Sequence, residues 1–408
     1  MSKGLLSVDE ALERLLAGAR AVEETEEVPT LSATDRVLAV AQRSAMNVPP
    51  MDNSAMDGYA VRLADVSGPG VRLRVAQRIM AGAVGAELAP GTAARIFTGA
   101  PVPHGAGAIV MQEHATEDGD GVVIDEVPAA GAWVRRTGID IRSGDVILPA
   151  GQRLRPQDIG LAASVGIAAL PVRRRVRLGL FFTGDELVMP GDALPPGRIY
   201  NSNRFTLNGL AQLTGCEVRD YGIVPDSLEV TRAMLRRAAA ECDLIVTSGG
   251  VSVGDADFVK PAVEAEGELL LWRIAMKPGR PLAFGRVGGA LTGGKSAAFI
   301  GLPGNPVASF VTFLWFVRPF VMRTQGMNLT LPLGIDVRAD FDWPEADARR
   351  EFLRARRNGL GGVDLYPTQD SSVLMSTSWS DGLIDNPAGR VIKRGDVVRF
   401  YPYAELYR

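Results

Sequence analysis

Cysteine and histidine are scarce: the 408 residues contain only Cys216, Cys242, His104 and His114. Two cysteines far apart in sequence exclude a disulfide framework and offer no zinc-ligand spacing. Two histidines in one short segment argue against a histidine-based metal centre or a catalytic triad, and surface positions are expected for both. A dominant charge sign is also missing. The formal net charge is -3 and the pI near 5.7, so no basic footprint for nucleic acid exists, and an anionic ligand must meet a local basic patch. Long hydrophobic runs are absent too. The most apolar stretch, Val307–Met322, contains Arg318 and Pro319 and is short of a bilayer span, so a buried core helix is expected. The first residues lack the charged-then-apolar layout of a signal peptide. A cytoplasmic protein without nucleic-acid or membrane partners is the expectation.

What is present is punctuation by glycine and proline. Ser7-Val8-Asp9-Glu10 is a capping box, and Ala11, Leu12, Leu15 and Leu16 recur at helical spacing, predicting a helix over 7–22. From Asn47 the texture changes to short apolar runs between glycine turns. Val71-Arg72-Leu73-Arg74-Val75 alternates as a half-buried strand should, and Ala108–Gln112 and Val122–Val127 are further strand candidates. Four domains follow: an N-terminal helical and linker domain from 1–46 with 142–175, a small β domain over 47–141, an α/β domain over 176–324, and a C-terminal β-barrel-like domain over 325–408.

Within 176–324 the pattern is β-α-β-α-β-α-β, which predicts a central three-layer α/β domain. Its strands are Val176–Phe182, Cys216–Val224, Leu244–Thr247, residues 269–276 and Ala297–Leu302. Its helices lie near 202–214, with Ser202 as candidate cap, near 227–240, capped by Ser227, and after Pro306. Gly288–Gly294 reads as an exposed hairpin tip. In such sheets ligands bind beyond the carboxyl ends of the strands. Those ends carry Glu186, Asp226, Ser248-Gly249-Gly250, Ser252, Asp257, Lys277 and Pro303–Pro306.

Glycines at Gly249 and Gly250 let backbone amides approach an anion. The loop lacks the Gly-Lys-Ser/Thr ending of a Walker A and the spacing of a dinucleotide fingerprint. Glu186, Asp226 and Asp257 are hard oxygen donors suited to Mg²⁺, which binds through one or two carboxylates plus substrate phosphate. Arg273, Lys277 and Arg280 cluster around a Pro-Gly turn and suit a tetrahedral oxyanion. Each feature alone also has a plain structural reading: a tight turn, a helix cap for each acid, a solvated basic loop.

Several strings together resemble one family. They are Pro49-Pro50-Met51-Asp52-Asn53-Ser54-Ala55-Met56-Asp57-Gly58-Tyr59-Ala60, Arg95-Ile96-Phe97-Thr98-Gly99-Ala100-Pro101-Val102-Pro103, Thr183-Gly184-Asp185-Glu186-Leu187, Thr247–Asp257, Lys277-Pro278-Gly279-Arg280-Pro281 and Gly301-Leu302-Pro303-Gly304-Asn305-Pro306. The whole chain resembles the molybdopterin molybdenumtransferases, bacterial counterparts of the gephyrin E-domain. The resemblance implies Mg²⁺-dependent insertion of molybdate into adenylylated molybdopterin with release of AMP, and an elongated homodimer in which the β domain of one subunit approaches the α/β domain of the other. It implies catalytic roles for Asp57, Thr98, Glu186, Asp226 and Asp257, the last three also as metal ligands. It implies substrate contacts from Arg135, Asp140, Ser248, Gly249, Gly250, Ser252, Pro303 and Pro306, and a molybdate pocket of Arg273, Lys277, Arg280, Arg354 and Ser371. A molybdopterin adenylyltransferase and recipient molybdoenzymes are the implied further partners. The chain departs from the family in two places: positions 273 and 280 are often lysine in relatives, and a Gln-Gly-Ser pattern reads Gln369-Asp370-Ser371.

Two rival functions remain at this point. A molybdopterin adenylyltransferase shares the Ser-Gly-Gly α/β domain but is short and lacks the segment 47–141. A non-catalytic carrier or scaffold for the pterin cofactor has no need of acids at one rim.

Overall fold

A computed structural model describes residues 5–250, 258–289, 293–328 and 332–407. The chain forms two compact units. One comprises Glu27–Thr34 and Val40–Pro171; the other comprises Met1–Glu26, Asp35–Ala39 and Val172–Arg408.

The first unit is built on β structure. Among the described residues its main sheet has six strands, in the order Ala108–Met111, Gly58–Val61, Thr92–Ile96, Val71–Ile79, Gly121–Ile124 and Ala115–Asp118. The alternation read at Val71–Val75 is real: Leu73 is buried while Arg72 and Arg74 are exposed. His104 and His114 lie at this unit's surface against Glu87 and Glu126.

The second unit holds a sheet with, among the described residues, seven strands. They are β1 (Leu5–Leu6), β2 (Arg177–Thr183), β3 (Glu217–Val224), β4 (Leu244–Ser248), β5 (Gly267–Ile274), β6 (Pro281–Gly288) and β7 (Ser296–Leu302), in spatial order β1-β5-β6-β7-β4-β2-β3. Strands β3, β2, β4 and β7 run parallel, while β6 is antiparallel to both its neighbours. Both faces are covered. Helices α3 (Leu228–Glu241) and α4 (Val259–Glu266) pack on Phe181, Ile245, Ala283 and Phe299. Helices α1 (Val8–Ala17), α2 (Ser202–Leu213) and α5 (Pro306–Thr324) cover Leu180, Phe182, Val246 and Ile300. That two-sided burial explains why the inner parallel strands β2, β4 and β7 read as largely apolar runs, while β3 at the sheet edge does not.

Several local expectations change. Helix α1 has both capping-box bonds between Ser7 and Glu10, but it ends at Gly18 rather than at 22. A Cβ at position 18 would overlap the Phe284 ring, so the close approach requires glycine there. Helix α2 is capped by Asn201, whose side chain accepts from the Arg204 N–H, and not by Ser202. Ser227 occupies the N-cap position of α3, but its hydroxyl makes no capping bond. The segment 269–276 is broken: β5 stops at Ile274, and Met276–Lys277 leaves the sheet to pair with Arg350 and Glu351. Strand β6 was not expected. It joins β7 by the hairpin read at Gly288–Gly294, of which residues 290–292 lie outside the described set.

The most apolar stretch is a core helix. Helix α5 is α-helical at both ends, with a π-helical turn at Phe313–Val317, and all of it but Pro306 and Arg323 is buried. Beyond it the chain closes a five-stranded barrel: β8 (Ile335–Ala339), β9 (Arg350–Arg357), β10 (Gly362–Leu365), β11 (Gly382–Asn386) and β12 (Val397–Pro402), with β9 pairing both β10 and β11. Phe352 and Leu383 of the barrel share one apolar cluster with α5, so barrel and α/β layers form a continuous core.

Candidate functional site

The parallel arrangement of β2, β3, β4 and β7 brings their carboxyl ends to one rim. Thr183, Val224, Ser248 and Leu302 are the last residues of those strands, so Glu186, Asp226, Gly249–Gly250 and Pro303 all emerge on that rim. Strand β5 runs the same way, which carries the Lys277–Arg280 turn toward it.

Gly249 and Gly250 have φ of 94° and 66°, a left-handed pair that side chains disfavour. A Cβ on Gly250 would lie 2.5 Å from a Val259 methyl and 2.8 Å from the Thr183 hydroxyl. The loop therefore needs glycine at this position for both backbone shape and space. Ser248 plays a different part from the expected ligand contact. It is buried, and its hydroxyl bonds Asn203 Nδ2 at 2.7 Å, the Pro303 carbonyl at 2.9 Å and the Ser309 hydroxyl at 2.8 Å. Asn203 also donates to the Gly304 carbonyl at 2.7 Å. This network fastens the glycine loop to the turn Pro303–Pro306.

A cavity of about 540 Å³ opens beside it. Gly249 and Gly250 form one wall, Lys277 to Pro281 a second, Pro303 to Asn305 a third, and Arg349 with Gln369 to Ser371 closes it from the barrel side. Lys277, Arg280, Ser371 and Pro303 are thus brought together as the sequence led one to expect. The Lys277 ammonium contacts Asp347 at 3.2 Å and Glu351 at 3.1 Å. Burial alone would lower its pKa, but those two carboxylates outweigh burial and raise it. Glu351 is almost wholly buried, and it also accepts from Trp343 Nε1 and Asn386 Nδ2. Arg349 forms a two-bond pair with Asp347, at 2.9 and 2.8 Å, which holds Asp347 well below the ordinary carboxylate range. Ser371 accepts from Asn305 Nδ2 at 2.7 Å, which leaves its own O–H to donate.

Two residues expected in the pocket do not line it. Arg354 is buried behind the wall, bonding the Phe352 and Asp370 carbonyls and the Ser376 hydroxyl, and burial pushes its pKa down to about 10. It shapes the loop 369–376 instead. Arg273 is exposed on β5 opposite Pro281. Pro306 starts α5 as its first residue. Arg349 and Asn203 went unnoticed in the sequence. Arg349 belongs to a barrel strand region whose approach to the rim no local pattern reveals, and Asn203 resembles any residue of a helix first turn.

The acids form a second group on the rim. The Asp185 N–H donates to Asp226 at 3.2 Å, and the Glu186 carboxylate lies over Gly184. Burial raises the Asp226 pKa; the charges of Asp185 and Glu186 add to this, against the opposing bond from Asp185 N–H. These are hard oxygen donors crowded enough to favour a cation. Among the described residues no three potential ligands form a closed metal cluster, so a divalent ion here would take further oxygens from substrate or water. Ser252 and Asp257 lie outside the described residues.

The remaining expected residues belong to the β unit. Asp57 accepts from Thr98 N–H at 2.8 Å and Thr98 Oγ1 at 2.7 Å, which lowers its pKa and fixes it as a carboxylate. Arg135 pairs through its backbone with Asn53, and its side chain is exposed, as is that of Asp140. Arg136, the neighbour, is the one that binds Asp52, at 2.7 Å.

Known proteins resemble this chain in sequence and fold. Three family models match: the MoeA N-terminal region (domain I and II) over residues 6–166, the probable molybdopterin binding domain over 179–323, and the MoeA C-terminal region (domain IV) over 336–403. The chain is 42% identical over 326 residues to a molybdopterin molybdenumtransferase of Haemophilus influenzae, covering 79% of each protein. It is 36% identical over 399 residues to one of Synechococcus elongatus, covering 95% of this chain and 96% of the relative. The crystal structure of a molybdopterin biosynthesis moeA protein from Pyrococcus horikoshii superposes with a TM-score of 0.85 at 30% identity, covering 98% of this chain and all of that one.

Proposed function

The chain belongs to the molybdopterin molybdenumtransferase family, and on that premise we propose that it inserts molybdate into adenylylated molybdopterin, releasing AMP and yielding molybdenum cofactor. The observation that carries this reading is the cavity itself, which joins a glycine loop fit for phosphate to a cationic turn and a hydroxyl fit for a tetrahedral dianion. Lys277, Arg280 and Arg349 offset the oxyanion charge, and the Ser371 O–H donates to one of its oxygens. Gly249 and Gly250 let the nucleotide phosphates approach the backbone. Ser248 and Asn203 hold that loop against Pro303 rather than touching substrate.

Glu186 and Asp226, with Asp257, would hold Mg²⁺, which supplies charge neutralisation and leaving-group stabilisation for cleavage of the phosphoanhydride. The raised pKa of Asp226, due first to burial and then to the charges of Asp185 and Glu186, supports this reading, because a partly desolvated carboxylate beside like charges is stabilised by a cation. Asp57, held ionised by Thr98, completes the site from a second subunit of a homodimer. Arg135 and Asp140 contribute substrate contacts from the same unit. The protein works in the cytoplasm, receiving substrate from a molybdopterin adenylyltransferase and passing cofactor to molybdoenzymes. Against the adenylyltransferase alternative stand the family matches on either side of the α/β domain. Against a pure scaffold stands the cluster of acids.

The test is AMP release from adenylylated molybdopterin by the purified protein. Release should require both molybdate and Mg²⁺ and should yield cofactor that activates an apo-molybdoenzyme. AMP release indifferent to molybdate would end the transferase reading.

A further inference from the structure

Charge in the molybdate cavity is nearly balanced by the protein itself. Three cations line it: Lys277, Arg280 and Arg349. Lys277 is shared between Asp347 and Glu351, and Arg349 is committed to Asp347 through two bonds. Among the described residues, Arg280 alone of the three has no carboxylate within ion-pair distance. On the barrel-side wall, next to Ser371, stands Asp370, an exposed acid with no cation at ion-pair distance among the described residues. Its Oδ1 accepts from the Ser372 N–H at 2.8 Å and from the Ser372 hydroxyl at 2.6 Å, so the carboxylate is fixed in place beside the opening. Those bonds hold its pKa below the ordinary carboxylate value, and Arg354, buried behind the wall, adds a smaller effect in the same direction.

We propose that Asp370 is an affinity-setting residue of the oxyanion pocket: its fixed negative charge weakens capture of tetrahedral dianions, so that free molybdate is held loosely. This rests on the reading of the cavity as the molybdate pocket. The repulsion acts on charge and not on shape. It therefore weakens sulfate, a dianion of the same geometry, as well as molybdate. A full charge facing a dianion across a solvated distance of about 8 Å is worth roughly a three- to tenfold change in affinity.

Asp370→Asn isolates the effect, because both Ser372 bonds end on one oxygen that an asparagine carbonyl reproduces, leaving the loop geometry intact while removing the charge. Calorimetric titration of the full-length protein with molybdate, and separately with sulfate, is the measurement. At low salt Asp370→Asn should bind both dianions about three- to tenfold more tightly than the unaltered protein, and the gain should shrink at high salt. Asp370→Glu, which keeps the charge, should retain weak binding. Equal or weaker molybdate binding by Asp370→Asn, with measurable binding by the unaltered protein, overturns the role of Asp370 while the pocket stands. Failure of both proteins to bind molybdate overturns the pocket reading and this proposal with it.

Discussion

The Ser248 hydroxyl meets Asn203, Pro303 and Ser309 at once, and Ser309 itself bonds the same Pro303 carbonyl. A serine in a phosphate loop invites a ligand role, yet here the hydroxyl is enclosed and fully used. Ser248→Ala leaves the Asn203 amide and the Ser309 hydroxyl short of a partner, and the expected cost is about 1–3 kcal/mol in denaturant unfolding. Glu351 is the counterpart on the cationic side. Its carboxylate accepts from Lys277, Trp343 and Asn386 in a buried position. Glu351→Ala should destabilise by about 2–4 kcal/mol, less than a fully buried pair because Lys277 is partly solvated. Glu351→Gln, which keeps hydrogen-bonding capacity, should cost less. At this scale the sequence disclosed Lys277, Arg280 and the glycines, because a Pro-Gly turn and a Gly-Gly pair constrain backbone wherever they occur. Arg354, expected from the resemblance, does not line the cavity, and sequence alone could not show this because a strand alternates its side chains and does not tell which face meets the rim.

Helices α3 and α4 illustrate how elements are tied together by charge as well as by apolar contact. Glu266, at the end of α4, is buried and receives Arg232 at 2.7 Å and Arg236 at 2.9 Å from α3. Burial pushes its pKa up, but the two guanidinium groups outweigh this, so the folded-state value lies below the ordinary one of 4.5. A depressed carboxylate stabilises the fold above its unfolded pKa, and that stability is lost as pH falls through the folded value. Stability should therefore decline below about pH 4.5, and Glu266→Gln should show a flatter acid limb in unfolding measured against pH. Helix α5 depends on packing instead. Phe316 is fully buried within its π-helical turn, and Phe316→Ala should cost about 3–5 kcal/mol in the same assay. Most elements were legible, since β2, β4 and β7 are apolar runs ended by glycine or proline. Strand β6 was not, because it begins at Pro281, ends at Gly288 and is interrupted by Gly285. Gly285 is needed where the Glu268 backbone passes, so the residue that hides the strand from sequence reading is the one that lets it pair.

For the whole molecule, the family assignment was readable because its motifs are spread over both the small β domain and the α/β domain, from Asp57 to the turn at Pro303. The proposed meeting of Asp57 and Thr98 of the β unit with the acids of the α/β unit has no signature in local sequence pattern, because it would depend on assembly. The proposed homodimer makes a direct prediction. Asp57→Ala and Asp226→Ala should each abolish AMP release, and mixed dimers of the two variants should regain part of it, because one composite site per mixed dimer is then intact. Activity that stays absent in mixed dimers argues for a site completed within one chain. The central claim, however, concerns the cavity beside the glycine loop, and Arg280 tests it most directly. The measurement is the molybdate concentration that half-saturates AMP release, compared between the unaltered protein and Arg280→Ala. The account predicts a rise of about tenfold or more, the loss expected for a charge-assisted contact to a dianion; an unchanged half-saturation would contradict it.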